Sequence, residues 1–297
     1  MNVLITGASG LVGKSIIKTL TQEGHQVFAL VRSPEKVNEI PSQYVRRWQY
    51  QERPDPSFIR GVDAVIHLLG ESIAAKRWTE ERKRQLQESR IVSTKNLVSV
   101  LCQLEPAERP KVLISTSATG YYGDCGDVEI NEQSPVGSDF LAELCKQWEA
   151  ETAPAVQVGM RTVTMRLGLV LSKSGGFLAK MAPVVLGDGQ QWQSWVHIHD
   201  VNQFISKAIS DSSMSGPYNL VAPTPVRNKE MTRTFARVRG IPLTLPAPTL
   251  ALKLILGEMS TAVLAGQRVF PQRLLESGFQ FQFSNLDQAL RDIYGTK

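Results

Sequence analysis

The first twenty residues combine a short apolar run, a glycine-rich turn and a helical pattern. Asn2 to Ile5 form the apolar run, residues 6–13 read TGASGLVG, and the helical pattern continues through residues 14–20. A strand, a glycine turn and a helix in this order open a βαβ unit of the kind that binds dinucleotides. The next apolar run follows at the correct spacing, so we expect an α/β fold of the Rossmann type.

Each glycine of this turn has its own physical role in holding a dinucleotide. Gly7 makes the tight turn out of the strand, Gly10 lets backbone N–H groups approach a pyrophosphate, and Gly13 lets the helix and the strand pack closely. The positive end of the helix dipole favours the negatively charged pyrophosphate at the same place. A glycine turn without a ligand is the alternative, and the strands on either side favour the dinucleotide site.

The end of the second predicted strand indicates which dinucleotide is bound. Residues 26–31 form this strand, and Arg32 ends it nineteen residues after Gly13, where such folds place the residue that meets the adenosine ribose. An acidic residue would repel a 2′-phosphate, whereas a guanidinium can pair with that phosphate and stack on adenine. With Ser33 and Lys36 close by, Arg32 predicts NADP rather than NAD. A surface arginine after a strand is the alternative.

Composition and charge narrow the class of protein. The 297 residues are 42% apolar and 21% charged, which is ordinary for a globular chain with one elaborated domain or a large domain and a smaller lobe. The net charge of +5 comes from scattered Lys and Arg, so it suits a phosphorylated cofactor better than nucleic acid. Three cysteines without a C-x-x-C pair indicate a reducing compartment. Because we find neither a signal peptide nor a bilayer-spanning stretch, we expect a cytoplasmic protein.

Strand and helix patterns alternate through the first part of the chain, which predicts a doubly wound parallel sheet. One helix, capped by Thr79, is expected to run to about residue 101, and another to cover residues 140–152. Further strands are expected at residues 44–48, 63–70, 111–117, 163–171 and 217–221. The continuous apolar character of residues 63–70 suits a parallel sheet that is covered on both faces.

The predicted fold class is therefore α/β, a Rossmann doubly wound parallel sheet with a smaller carboxyl-terminal lobe. We expect residues 1–171 to form an NADP-binding domain, to which residues 196–221 return. Residues 172–195 and 222–297, where proline and glycine punctuation increases, are expected to form the substrate-side lobe.

Histidines occur at two places that invite a ligand role. His67 lies inside an apolar strand, so a hydrogen-bonded core histidine is favoured over a ligand. Leu68, Leu69 and Gly70 follow at the carboxyl end of the strand, where open α/β sheets bind ligands, so the two leucines could lie against the adenosine half of the cofactor. His197 and His199 could converge on a metal ion. No further Cys or His completes a coordination set and Asp200 is expected to cap the helix of residues 201–209, so we predict no metal.

Several motifs in chain order resemble the extended short-chain dehydrogenase/reductases, the branch of the nucleotide-sugar epimerases and dehydratases. The matching stretches are TGASGLVG, DAVIHLLG, STSATGYYG, RLGLV and VHIHDV. Residues 70–73 (GESI), the Ser89-Arg90 pair and the GFQF tail narrow the resemblance to the YfcH-type epimerase-family proteins, an atypical subgroup with its own carboxyl-terminal domain. The resemblance covers essentially the whole chain and implies an NADP-binding Rossmann domain with a small substrate lobe.

The turn, the strand ends and this resemblance together predict the cofactor site. The expected cofactor-binding residues are Gly7, Ser9, Gly10, Leu11, Val12, Gly13, Arg32, Ser33, Leu68, Leu69, Gly70, Arg90 and Val170. For Arg90, which stands where many extended members have Asn, a solvated helix arginine is the alternative. Trp192 and Trp195 lie where the resemblance places substrate-loop residues, and core packing would explain them equally.

The catalytic pair of the larger superfamily is missing. There, the Tyr of a Y-x-x-x-K pair exchanges the hydroxyl proton, and the Lys one turn later lowers the pKa of that Tyr. None of the six tyrosines here has Lys four residues later. Two registers of the helix after Pro135 are plausible, and they place either Phe140 and Leu144 or Leu141 and Cys145 at the Tyr and Lys positions. Cys145 would face the cleft only in the second register, and a small buried hydrophobe is the better interpretation.

The remaining groups for proton transfer lie near the fifth strand. Ser117 occupies the position of the superfamily's serine, and Tyr121 or Tyr122 lies beside it, with Tyr122 preferred and one of the two expected to pack. Glu71, at the carboxyl end of a strand, is a further acid or base candidate, with a surface carboxylate as the alternative. No catalytic role is expected for a metal.

These features predict an NADP(H)-binding oxidoreductase or epimerase that acts on a small hydroxylated or sugar-nucleotide-like substrate. Hydride transfer itself would belong to the cofactor. A non-catalytic NADP(H) sensor is the second hypothesis, because the Tyr and Lys pair is missing. A nucleic-acid binder is a distant third.

Overall fold

The computed structural model describes residues 1–295, and its centre is a seven-stranded sheet in which every strand pair is parallel. The strands are β1 (Asn2–Thr6), β2 (Gln26–Val31), β3 (Val45–Arg47), β4 (Ala64–His67), β5 (Val112–Ala118), β6 (Glu129–Ile130), β7 (Arg161–Leu167), β8 (Leu169–Leu171), β9 (Val184–Leu186), β10 (Trp192–Gln193), β11 (Trp195–His197), β12 (Gly216–Leu220), β13 (Val226–Arg227), β14 (Leu245–Ala247) and β15 (Arg268–Val269). The helices are α1 (Leu11–Gln22), α2 (Glu80–Gln103), α3 (Phe140–Ala150), α4 (Ala153–Gln157), α5 (Phe177–Lys180), α6 (Ile198–Ser210), α7 (Asn228–Arg239), α8 (Thr249–Leu256), α9 (Ser260–Leu264), α10 (Gln272–Glu276) and α11 (Leu286–Tyr294). No helix among residues 1–295 combines the length and the apolar character needed to cross a bilayer.

The order of strands in the central sheet is β12-β7-β5-β4-β1-β2-β3. The chain therefore builds outward from β1 to β3 and then returns to the other side of β1 with β4. Such a reversal leaves a crevice at the carboxyl ends of the two strands that flank it, where α/β sheets bind ligands. The predicted doubly wound α/β fold is confirmed, and its switch point lies between β1 and β4.

Burial on both faces explains why the strands are apolar without interruption. Val3 and Ile5 of β1 belong to a core on one face with residues of α1 and α6. Leu4 belongs to the core on the opposite face with residues of α2 and α4. Each fully buried aliphatic side chain of this size contributes roughly 1.5–3 kcal/mol relative to an exposed one. The sheet is thus held between two helical layers.

The predicted sixth strand, residues 163–171, is in fact two strands. β7 ends at Leu167 and β8 begins at Leu169. Gly168 between them passes close to Ser194, since a Cβ there would lie 2.4 Å from the Ser194 carbonyl oxygen. The chain leaves the central sheet at this glycine, and β8 pairs with β11 in a separate two-stranded sheet. Leu169 thereby reaches the cavity described below.

The predicted capping role of Asp200 is wrong. Helix α6 begins at Ile198, and the N-cap is His197, whose Nδ1 accepts a hydrogen bond from the His199 N–H at 3.2 Å. The Asp200 carboxylate is fully buried and accepts hydrogen bonds from the backbone N–H groups of Gln282 and Phe283 at 2.8 and 3.2 Å. Burial raises the pKa of this carboxyl group. Asp200 therefore ties the carboxyl-terminal segment to α6.

His67 is a buried, hydrogen-bonded core residue, as the sequence predicted. Its Nδ1 lies 2.7 Å from the Thr6 hydroxyl, and its Nε2 lies 3.0 Å from the Thr94 hydroxyl. The Thr94 hydroxyl also donates to the Arg90 carbonyl oxygen, so it accepts from the ring, and the imidazole proton is assigned to Nε2. Burial lowers the pKa of His67 to about 3.

We expect His67 to weaken the fold in acid. Its pKa of about 3 in the folded chain lies below the value of about 6.5 in an unfolded chain. Between these values the unfolded chain binds a proton that the folded chain does not, so stability falls as the pH drops, by up to about 1.4 kcal/mol per pH unit. Above this window both states are neutral and His67 contributes no pH dependence. Urea unfolding at neutral and mildly acidic pH should show a smaller acid loss for His67→Gln, and an equal loss would contradict this assignment.

Candidate active site

The glycine turn has the geometry that its spacing predicted. Gly7 has a φ of +70°, and a Cβ there would lie 2.8 Å from the carbonyl carbon and oxygen of Leu68. A Cβ at Gly13 would lie 2.4 Å from the Gly7 carbonyl oxygen. Gly10, in extended conformation, precedes α1, and within residues 1–295 no side chain caps this helix. The first N–H groups of α1 therefore remain available to an anion. This backbone cradle fits the pyrophosphate of a dinucleotide.

The end of β4 borders this cradle. The Leu68 backbone packs directly on Gly7, and the Leu68 and Leu69 side chains pack into the cores on opposite faces of the sheet. Gly70 faces Arg90, since a Cβ there would lie 3.2 Å from the Arg90 Cζ. The predicted residues at the end of β4 and in the glycine turn therefore lie together at the carboxyl ends of the parallel strands.

Arg90 points inward and is not solvated on its helix. Its guanidinium donates hydrogen bonds to the carbonyl oxygens of Leu86 and Glu71 at 3.1 and 2.9 Å. The Arg90 Cζ lies 5.2 Å from the ring centroid of Trp148. Burial lowers the pKa of the guanidinium to about 10. Arg90 thus supports the loop that follows Gly70 and borders the predicted cofactor site.

Arg32 lies close to Glu71 in this structure. The Arg32 side chain is 69% exposed, and its Nη1 lies 3.4 Å from Glu71 Oε1. The other Glu71 oxygen lies 3.6 Å from Arg82 Nη1. Glu71 is therefore a carboxylate between two guanidinium groups, at the end of the cleft where Arg32 predicts the adenosine ribose. Ser33, the next residue, is half-buried.

A buried polar network joins Ser117 to Tyr122. The Ser117 hydroxyl donates to Glu149 Oε1 at 2.6 Å. Arg166 donates from Nε and Nη2 to the two oxygens of Glu149, at 2.9 Å each, in a forked arrangement. The third donor, Arg166 Nη1, reaches the Tyr122 hydroxyl at 2.9 Å. All of these groups lie at the carboxyl ends of β5 and β7 or on elements that follow them.

Both tyrosines of the STSATGYYG motif pack within this network. The Tyr122 hydroxyl donates to Asn219 Oδ1 at 2.7 Å, and its side chain is 2% exposed. Burial raises the pKa of Tyr122 to about 12, so the phenol keeps its proton near neutral pH. The Arg166 Cζ lies 3.6 Å from the ring centroid of Tyr121, a cation–π contact. The structure therefore surrounds Tyr122 with polar partners of the protein itself.

Leu141 and Cys145 of helix α3, the pair named by the second register considered from the sequence, lie against β5 and the turn that follows it. Leu141 faces Gly120, where a Cβ would lie 3.4 Å from the Leu141 Cβ. Cys145 is buried beside Ser117, and burial raises the pKa of its thiol to about 11. Lys146 is 57% exposed and pairs with Glu143 at 3.5 Å. Leu141 and Cys145 therefore lie next to the turn after β5 and next to Ser117, whereas Lys146 lies on the exposed side of the helix.

A cavity of about 880 Å³ opens beside this edge of the sheet. Its walls come from the segment after β4, from α5 and the strands that follow it, and from α9. They include Ser72, Ile73, Ala74, Ala75, Trp78, Thr119, Leu169, Gly176, Phe177, Ala179, Lys180, Met181, Ala182, Val184, Leu186, Trp192, Gln193, Ser194, Asn228, Thr232, Met259, Ala262, Val263, Ala265 and Gln267. A cavity of this size accommodates a small organic ligand.

The cavity is contiguous with the predicted cofactor site. A Cβ built at Gly176, which lines the cavity, would lie 2.6 Å from the Leu11 Cδ2 at the start of α1. The same position lies 3.7 Å from the Val170 carbonyl oxygen. Leu11 and Val170, both predicted to bind the cofactor, therefore meet at the boundary between the glycine turn and the cavity.

Sequence reasoning missed several residues that line this cavity. Thr119 lies two residues after Ser117 in the same motif, so the motif itself could have identified it. Gln193 and Phe177 carry no local signal, because distant segments complete the wall around them. Of the two tryptophans considered, Trp192 lines the cavity and Trp195 is fully buried in the core.

The histidines of the VHIHDV motif have structural contacts. The His197 ring lies 4.0 Å from the Phe283 ring centroid, and burial lowers the pKa of His197 to about 4. Within residues 1–295 no three His, Cys, Asp or Glu side chains are grouped so that they could hold a metal ion.

Known proteins with similar sequences extend these observations. The profile of the NAD dependent epimerase/dehydratase family matches residues 3–220, and that of a domain of unknown function, DUF1731, matches residues 247–293. An Arabidopsis thaliana protein named epimerase family protein SDR39U1 homolog, chloroplastic, is 38% identical over 302 residues, which cover 99% of this chain and 86% of the relative.

Two crystal structures share both fold and sequence with this chain. That of human epimerase family protein SDR39U1 (isoform 2) with NADPH has a TM-score of 0.88 and 28% identity, and the match covers 99% of each chain. That of a nucleoside-diphosphate sugar epimerase from Corynebacterium glutamicum has a TM-score of 0.79 and 33% identity, and the match covers 99% of this chain and 58% of the other.

Proposed function

The chain belongs to the NAD dependent epimerase/dehydratase family, and from this premise we propose that it is an NADPH-dependent oxidoreductase. The observation that carries the proposal is the contact between Leu11, at the glycine turn, and Gly176, on the wall of the cavity. A dinucleotide held at the turn would lie next to a cavity that can hold a second molecule. The human relative whose structure contains NADPH supports the choice of cofactor.

The residues that would hold NADPH follow from the geometry of the turn. The first N–H groups of α1, from Leu11, Val12 and Gly13, would bind the pyrophosphate, with Ser9 beside them. Arg32 and Ser33 would bind the 2′-phosphate, and the strand end at residues 68–70 would border the adenosine half. When bound, the cofactor supplies a hydride that reduces a carbonyl group to an alcohol, with a proton taken from the protein or from water.

The protein itself would orient the substrate. Ser117 and Tyr122, the predicted proton-transfer groups, have hydroxyls that donate to Glu149 and Asn219. We therefore assign them a positioning role: they hold both ends of the turn whose first residue, Thr119, lines the cavity. Glu71 would act beside the adenosine half through its charge, because it lies near Arg32.

The reaction can be tested directly with bound NADPH. Its fluorescence should decay when carbonyl substrates are added to protein that was stripped of nucleotide and reloaded. Binding of NADPH without turnover on a broad panel would instead favour the second candidate, a non-catalytic NADP(H) sensor. The specific observation behind that candidate is that none of the six tyrosines of the chain has a Lys four residues later.

The choice of NADP over NAD has its own test. We expect Arg32→Ala to weaken NADPH binding roughly 10- to 100-fold and to leave NADH binding almost unchanged, because hydrogen bonds to a charged group contribute about 1.5–3 kcal/mol. The control is Arg60→Ala. Arg60 is 57% exposed and lies 3.3 Å from Glu108, but it precedes β4 and so lies near the amino ends of the strands, away from the glycine turn. Titration calorimetry measures both coenzymes. Equal losses of the two would remove the NADP assignment.

A further inference from the structure

We propose that the substrate is an apolar carbonyl compound or the corresponding alcohol, and not a nucleoside diphosphate sugar. The inference rests on the proposed function and names the substrate class of the same cavity. It departs from the sugar-nucleotide-like substrate that the sequence predicted. Three features of the cavity carry it: a single positive charge, the mostly apolar walls and a buried amide oxygen without a hydrogen-bond partner among residues 1–295.

The cavity offers one cation for a diphosphate, the exposed ammonium group of Lys180. Among residues 1–295 the only ionisable side chain on its wall is Lys180, whose Nζ donates to the Ala74 carbonyl oxygen at 2.8 Å. A diphosphate carries two negative charges, and burying charge without a partner is strongly unfavourable. The single ammonium of Lys180 therefore leaves one of the two charges of a nucleoside diphosphate without a cationic partner in this cavity.

The arginines next to the cavity already have partners. Arg227 and Arg268 lie over the Trp192 ring, with their Cζ atoms 4.0 and 4.8 Å from its centroid. Arg227 is ion-paired with Asp127, and Arg268 with Glu129 at 2.9 Å. Both guanidinium groups are thus held at the indole by carboxylates, which reduces their attraction for a phosphate.

Apolar side chains, from alanine to tryptophan, form most of the wall. Trp78 and Phe177 contribute aromatic surface, and Trp78 Nε1 donates to the Ile73 carbonyl oxygen at 2.9 Å, so the polar atom of this indole is satisfied within the protein. Met181 and Met259 add flexible apolar surface that adapts to irregular ligands. Apolar walls of this kind stabilise a ligand by removing apolar surface from water.

Two uncharged polar groups suit a single oxygen function on such a ligand. Gln193 is 9% exposed, and within residues 1–295 its Oε1 is buried without a hydrogen-bond partner. This amide oxygen would accept from an alcohol, and after rotation of the amide its NH₂ group would donate to a carbonyl. Thr119 adds a hydroxyl from the Rossmann side of the cavity. A buried polar atom without a partner destabilises the fold, and a ligand would satisfy it.

The first experiment uses NADPH-loaded protein and Nile red, a neutral dye that fluoresces in apolar surroundings. We expect cyclododecanone, a neutral apolar ketone, to displace the dye and UDP-glucose to leave it in place. Displacement of the dye by UDP-glucose would overturn the substrate class, as would oxidation of UDP-glucose by protein loaded with NADP⁺. Either result would leave the proposed oxidoreductase activity intact. A dye that neither compound displaces would also overturn it.

Two variants test the residues. Gln193→Leu removes the amide at similar size, so we expect about tenfold weaker ketone binding together with a higher melting temperature, which a purely structural role would not produce. Val263→Arg, on the cavity wall, should abolish ketone binding, whereas Leu250→Arg, at a side chain 71% exposed, should not. Unchanged ketone affinity in both cavity variants would refute the proposal.

NADPH calorimetry on the same samples distinguishes a failure of the proposed function from a failure of the proposed ligand class. Ketone binding without NADPH binding would contradict the proposed function and preserve the apolar ligand class. NADPH binding without any ketone binding would contradict the ligand class alone.

Discussion

A Gly13→Ala variant should lose NADPH binding by about 100-fold or more while it still folds. The added Cβ would lie 2.4 Å from the Gly7 carbonyl oxygen and 2.7 Å from the Ala8 Cα. Both atoms belong to the backbone, so no side-chain rotation relieves the clash and the turn must open. Opening the turn moves the N–H groups at the start of α1, and each charge-assisted hydrogen bond lost there costs about 1.5–3 kcal/mol.

The matched control is Gly24→Asn, which changes a glycine just beyond the other end of α1. Gly24 has a φ of +80°, with nothing within 4 Å of an added Cβ, so the cost there is conformational and not steric. We expect this variant to lose some stability and to keep its NADPH affinity. Calorimetry and thermal unfolding monitored by circular dichroism measure both properties. Full NADPH affinity in folded Gly13→Ala would place the cofactor elsewhere and remove the basis of the proposed function.

The elements that sequence reasoning placed correctly depend on neighbours along the chain. Thr79 caps α2, as predicted, by accepting from the Arg82 N–H at 3.1 Å. The spacing from Gly7 to Gly13 likewise reflects contacts within one turn. Periodicity, capping and turn chemistry are therefore visible in the sequence because both partners are only a few residues apart.

The errors arose where the partner is distant in sequence. Aspartate is a residue type that commonly caps helices, but the Asp200 carboxylate accepts hydrogen bonds from the N–H groups of Gln282 and Phe283. The strand of residues 163–171 divides at Gly168, after which β8 pairs with the distant strand β11. Secondary-structure propensities reflect neighbours along the chain and include neither of these contacts. Tertiary packing therefore determined both the role of Asp200 and the end of β7.

In the candidate site, too, features with local partners were predictable and features with distant partners were not. Its glycine turn and strand ends were predictable, since the reversal of strand order brings the carboxyl ends of β1 and β4 together. The cavity was not, because its wall combines residues 72–78, 176–186 and 259–267, which only the folded chain brings together. The motif placed Ser117 and Tyr122 correctly along β5 and the turn after it. It carried no information that Glu149 and Asn219 accept from their hydroxyls.

An Arg166→Met variant should therefore destabilise the fold by about 3–5 kcal/mol, the range typical of a buried ion pair that loses one partner. Arg166 is 4% exposed and donates to both oxygens of Glu149 at 2.9 Å. Methionine would leave that carboxylate with the Ser117 hydroxyl as its remaining partner and would remove the donor to the Tyr122 hydroxyl. Urea unfolding gives the free energy of unfolding.

Two further variants decide what this loss means. Arg237→Met breaks an ion pair of the same length, 2.9 Å to Asp287, but Arg237 is 64% exposed, so we expect about 1 kcal/mol or less. Glu149→Gln added to Arg166→Met should recover part of the stability, because a neutral amide is less costly to bury than an unpaired carboxylate. Equally small losses of unfolding free energy from Arg166→Met and Arg237→Met would show that the contacts of Arg166 in this network contribute little to stability. Ser117 and Tyr122 would then be free to exchange protons with a substrate, and the catalytic role predicted from the sequence would replace the positioning role proposed here.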